Sequence, residues 1–237
     1  MAGPSIREHF DWQAGWNDWL GSPFTAALCR AMGEDFDAGG PVYALFKDHR
    51  GNANKDASSL RLAGALHHAV LTGVAPELAA VYPAAVATWD MNTVWPLARA
   101  YLEANLDAVA AFIESPPQTN ETRRSIALLP GFLALAARHD MPMDLLELGA
   151  SAGLNQNWDR YGYETASWAR PGTSDVLIKT DWTGPAPAHL DTQPHIRSRA
   201  ACDLNPLDVS DPDQALNLKC YTWADQAERL TRLDAAM

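Results

Sequence analysis

At 237 residues the chain is long enough for one large domain or two small ones, and 47% apolar with 20% charged residues is a globular composition rather than a disordered one. The 29 acidic against 18 basic side chains leave a formal net charge of −11, which repels phosphate backbones and anionic lipid heads and argues against nonspecific nucleic-acid binding. Three cysteines, none in a Cys-x-x-Cys pair, give neither a disulfide framework nor a zinc ribbon.

The N-terminus has no basic region followed by an apolar stretch, so no signal peptide is expected. The longest apolar run, residues 125–137, is too short for a bilayer and contains Pro130 and Gly131. A cytoplasmic globular protein without membrane contact or a metal site is expected.

The first part of the chain reads as helices. Trp12, Trp16 and Trp19 recur at helical spacing, which predicts a core or interface stripe rather than a base-stacking platform, because no basic residues interleave with them. Phe24, Leu28, Met32 and Phe36 repeat the period until Gly39-Gly40-Pro41 stops it. Ser58-Ser59 precede a third helix through Leu62, Leu66 and Val70. One long helix is expected from Val94 to Ile113, ending at Ser115-Pro116-Pro117, and another from about Asn120 to Ala137, kinked at Pro130.

The pattern changes at Asp140. Asp144–Leu148 reads as a strand, Gly149–Asn155 as a glycine turn into a helix, and 176–180 as a β-ribbon segment. Residues 198–203 form a further strand candidate ending in Asp203-Leu204-Asn205-Pro206, and a helical tail runs from about Ala215 to Leu233. The expected fold is α/β: a helical N-terminal domain over 1–139 and an α/β domain over 140–237.

Glu147-Leu148-Gly149-Ala150-Ser151-Ala152-Gly153 carries the strongest chemical signal. Glycines let backbone approach a ligand, a following helix N-terminus would offer free N–H groups, and an acid at the strand end accepts from ammonium or hydroxyl groups. The spacing matches an acid-x-Gly-x-x-x-Gly loop better than the dinucleotide fingerprint. It also spells Gly149-x-Ser151-x-Gly153, a nucleophile elbow, with Asp175 or Asp181 and His189 or His195 as partners in the right chain order. A hydrolase, however, needs several strands before its elbow, and the preceding segment reads as helices.

Asp203 is either a ribose-binding acid, though further along than the roughly 20 residues usual after the glycine loop, or an Asx turn capping nearby N–H groups. Gln118-Thr119-Asn120-Glu121-Thr122-Arg123-Arg124 reads either as a helix N-terminus, with Thr119 or Asn120 as N-cap and Glu121 in the first turn, or as a polar cluster facing the loop after Gly149.

Glu147–Tyr163, Gln118–Glu121, Cys202–Asp208 and Trp223–Arg229 together resemble the domain of unknown function 2332 family of bacterial proteins. The resemblance runs along nearly the whole chain. It implies a helical region followed by a partial Rossmann-like unit, similar to class I methyltransferases, with an inserted β-ribbon. It further implies S-adenosylmethionine as cofactor, with Glu147, Gly149, Ala150, Ser151, Gly153 and Asn155 in the first loop and Asp203 and Asn205 at the ribose. Gln118, Asn120, Glu121 and Arg123 would be a family-typical polar cluster, and no methyl acceptor is implied. Family members look longer, so the expectation is either a truncated or non-catalytic interaction module, or a sheet completed in a homo-oligomer.

Overall fold

Ser5 and Glu8 bind each other's backbone N–H groups in a capping box that starts α1 (Ile6–Trp19). The computed structural model describes residues 5–237. Six more helices come after it: α2 (Pro23–Asp37), α3 (Pro41–Phe46), α4 (Ser58–Leu71), α5 (Pro76–Ala79), α6 (Met91–Ala104) and α7 (Leu106–Ile113). Proline opens α2, α3 and α5, where its missing N–H costs nothing. Phe10, Phe24, Leu28, Met32, Leu62, Leu66 and Leu102 are the centre of their shared core.

One expectation for this region is corrected, and one of two alternatives for another is removed. The helix expected from Val94 to Ile113 is two helices, broken at Asn105, whose backbone leaves helical geometry while its side-chain amide donates to the Tyr101 carbonyl. The indole stripe of α1 is not core either. Ile6, Phe10, Ala14 and Asn17 take the buried face, and Trp12, Trp16 and Trp19 stand 46%, 43% and 75% exposed. The three rings meet edge to face instead.

The remaining elements are a 3-10 turn at Thr122–Arg124, α8 (Ser125–His139), β1 (Met143–Leu148), a 3-10 turn at Leu154–Asn157, β2 (Gly162–Glu164), β3 (Ala169–Arg170), β4 (Leu177–Lys179), β5 (Ile196–Cys202), α9 (Pro212–Cys220) and α10 (Ala227–Ala236). The helical tail expected from Ala215 is therefore interrupted between α9 and α10. By contacts the chain divides into one unit ending at Gln118 and rejoined by Leu216–Ala227, and a second of Thr119–Ala215 with Glu228–Met237.

In the second unit β1 and β5 pair in parallel, with Leu148 opposite Cys202, so both strands end at the same edge. A separate three-stranded sheet has the order β3-β2-β4; β2 is antiparallel to β3 and parallel to β4. Its backbone folds tightly because Gly172 lies against the Tyr161–Gly162 peptide, where any Cβ would collide. Leu129 and Leu133 of α8 pack with Leu145, Trp158, Tyr163 and Ile178 as its core. The protein is thus a mixture of helices and small sheets with a helical N-terminal region. Among the described residues no helix is long and apolar enough to cross a membrane.

Candidate functional site

Because β1 and β5 are parallel and in register, the loops at their ends are neighbours. The Gly149 and Ala150 N–H groups donate to the Cys202 carbonyl at 2.9 and 3.2 Å. The Asp203 carboxylate accepts the Ser151 N–H at 2.7 Å on one oxygen and the Asn205 N–H at 2.9 Å on the other. The Leu207 N–H returns to the Ser151 carbonyl. Gly149, Ser151 and Gly153 all have positive φ, of 69°, 53° and 69°. Glycine adopts that geometry freely, whereas Ser151 holds it at a cost. The N–H bonds to Asn205 and Ser151 hold the Asp203 carboxyl below its ordinary range.

The glycine turn does not enter an α-helix. Gly153 leads instead into the four-residue 3-10 turn, because the Tyr161 hydroxyl donates to the Leu154 carbonyl and the Tyr163 hydroxyl to the Trp158 carbonyl. These carbonyls are thereby held by aromatic side chains of the next segment. The Leu154 N–H is also committed, to Asn120 Oδ1 at 2.8 Å. A helix N-terminus ready for a phosphate is therefore not what this loop offers.

The opening lies beside it. Leu128 and Phe132 of α8, Leu148, Glu147, Asn155 and Trp158 line a groove of about 520 Å³. Phe132 stacks on the Trp158 indole with ring centroids 4.7 Å apart. Asp144 and Gln156 also line the groove, and three buried polar atoms of its lining residues have no protein partner: Glu147 Oε2, Asn155 Oδ1 and Trp158 Nε1. Two are acceptors and one is a donor. Burial raises the Glu147 carboxyl above its ordinary range, with Arg124 opposing.

The polar cluster before α8 is partly a brace. Asn120, buried, anchors Leu154, while Glu121 accepts the Arg123 N–H and pairs with Arg229 Nε at 2.6 Å and Arg232 Nη2 at 3.0 Å. Glu121, rather than Thr119 or Asn120, is thus the cap of the 3-10 turn, and its charged partners come from α10. Gln118 is half-buried and belongs to the first unit. Of the sequence candidates, Glu147 and Asn155 line the groove; Gly149, Ala150, Ser151, Asp203 and Asn205 form the clamp between the two loops. Sequence reasoning missed Phe132 and Arg232, and gave Gln156, Trp158 and Arg229 no role beyond carrying the family resemblance. Only the three-residue interval from Arg229 to Arg232 on a helix face was there to be noticed.

A sequence model of uncharacterised proteins conserved in bacteria, DUF2332, matches residues 7–237. The chain belongs to the DUF2332 family. No curated protein and no solved structure matches it. Both the loop clamp and the groove of this DUF2332 protein lie inside the matched region.

Proposed function

We propose that this DUF2332 protein binds S-adenosylmethionine beside the ends of β1 and β5, as a methyltransferase-like protein with a partial Rossmann-like second unit. The observation that carries the reading is the pair of buried acceptors, Glu147 Oε2 and Asn155 Oδ1, left without donors in residues that line the groove. A buried acceptor without a donor is costly, so a ligand bearing ammonium, hydroxyl or amino donors gains by meeting them. S-Adenosylmethionine carries all three, plus an adenine face suited to an aromatic wall such as Phe132 and Trp158. Parallel strands with their carboxyl ends at one edge are the usual setting for such a ligand. Asp203 retains acceptor capacity beyond its two backbone bonds.

The bound cofactor supplies an electrophilic methyl group. The chain's own part is orientation: Glu147 and Asn155 fix polar groups, and the apolar wall excludes water. No nucleophilic side chain is required. Calorimetric titration with S-adenosylmethionine tests this: saturable one-site binding, weakened about tenfold or more in Glu147→Gln, is expected, and equal affinity in the variant refutes it.

A non-catalytic interaction module is the second reading, favoured by the exposed indoles of α1. Protection of residues 5–40 from proteolysis only when a partner is added supports it. A homo-oligomer fits one further observation: Leu146 and Leu148 on β1 are 80% and 84% exposed, whereas both faces of a parallel sheet are normally covered. A monomer in light scattering at high concentration excludes that form. The Ser151 hydrolase is the weakest reading, since no strand precedes β1 among the described residues. Fluorophosphonate labelling lost in Ser151→Ala would revive it.

A further inference from the structure

In a protein of net charge −11, Arg229, which pairs with Glu121, lies within electrostatic reach of three further guanidiniums, those of Arg123, Arg124 and Arg232. Arg229 and Arg232, one turn apart on α10, bind the two oxygens of Glu121, and Arg123 adds its backbone N–H to one of them. Arg124 reaches the Glu121 carbonyl through Nε at 3.4 Å. The side chains of Glu121, Arg229 and Arg232 are only 20%, 23% and 11% exposed, so water screens their charges weakly. Arg123 and Arg124 stand exposed beside them, and no carboxylate among the described residues forms an ion pair with either.

The arrangement is out of balance in two ways. The guanidiniums of Arg123, Arg124 and Arg232 all act against the charge on Arg229, and Arg124 also faces Glu147. In addition, Arg232 Nε is buried with no acceptor. A buried guanidinium donor without an acceptor is costly, and neighbouring guanidiniums repel one another at short range. Both costs are removed by one ligand type, a doubly charged oxyanion presenting several acceptor oxygens. Arginine also suits it better than lysine, because its planar fork binds two oxygens at once.

We propose that Arg123, Arg124, Arg229 and Arg232 form a binding site for a phosphate group, carried either by inorganic phosphate or by a phosphomonoester. The site is separate from the S-adenosylmethionine reading, since that cofactor carries no phosphate and the claim survives if the cofactor does not bind.

Titration of the 237-residue chain at pH 7.5 with inorganic phosphate and with glycerol 3-phosphate tests it, with sodium chloride holding ionic strength constant. Saturable binding at one site is expected. The exposed double variant Arg123→Gln/Arg124→Gln should weaken it by about tenfold or more while its unfolding midpoint without phosphate stays at the wild-type value. Tighter binding of glycerol 3-phosphate assigns the head group of a monoester; equal or tighter binding of inorganic phosphate assigns the free ion. Either outcome upholds the site. Binding no stronger than that of chloride, or full affinity in the double variant, overturns it.

Discussion

The Asp203 carboxylate accepts the Ser151 N–H at 2.7 Å, and so fastens the loop after β5 to the loop after β1. Asp203→Ala removes acceptors from two backbone donors, Ser151 and Asn205, and should lower the thermal midpoint and speed amide exchange at Ser151. Because the folded carboxyl is held low, its contribution is present above the ordinary carboxylate range and is lost as pH falls through the folded value. Wild type and variant should therefore converge in acid. Unchanged exchange at Ser151 would contradict the clamp.

Glu147 and Glu121 should respond to pH with opposite signs. Burial raises Glu147, so the folded state holds its proton more tightly and this residue's effect on stability worsens as pH rises from the ordinary value to the folded one. Glu147→Gln should raise the midpoint at neutral pH. Burial alone would raise Glu121 as well, but Arg229, the Arg123 N–H and Arg232 outweigh it and the carboxyl is lowered. Its stabilisation is present above the ordinary range and lost as pH falls through the folded value. Glu121→Gln should cost about 1–3 kcal/mol at neutral pH and little in acid. Denaturant unfolding from pH 3 to 8 reads both, and slopes of the same sign would contradict the account.

Glycines 149 and 172 are required for different reasons. A Cβ on Gly149 meets nothing within 4 Å, but its φ of 69° disfavours any L side chain, so Gly149→Ala should cost about 1–2 kcal/mol. Gly172→Ala forces a methyl group into the Tyr161–Gly162 backbone and should cost more, about 1–3 kcal/mol or beyond. Unfolding midpoints of the two variants check the order.

Thiol reactivity should single out Cys202. Cys29 and Cys220 are buried and burial pushes both thiols up to about 12, while Cys202 is exposed at the end of β5. Iodoacetamide at pH 8 should modify Cys202 in the native protein and all three cysteines after denaturation, as read by peptide mass. Early labelling of Cys29 would contradict the packing of α2.

The elements legible in the sequence were those with a local cause. Gly39-Gly40-Pro41 ends α2 whatever surrounds it, and β1 and β5 are short runs closed by turn residues. The elements that were not legible depend on distant partners. Apolar periodicity runs through Asn105 unbroken, so nothing in it marks the end of α6. The stop after Gly153 comes from hydroxyls of Tyr161 and Tyr163, and β2 and β3 are two- or three-residue strands defined only by pairing. At the site, the acid and glycines of the first loop could be read. The pairing of Glu121 with arginines of the last helix could not, because it joins residues at opposite ends of the second unit.

Thermal unfolding of the chain with and without S-adenosylhomocysteine tests the cofactor reading most directly. Ligand at 100 times its dissociation constant stabilises the native state by about 2.7 kcal/mol. At this chain length that raises the midpoint by roughly 5–11 °C. The account predicts such a rise, reduced in Glu147→Gln and abolished in Gly149→Leu. A folded sample whose midpoint does not move at millimolar ligand would contradict it.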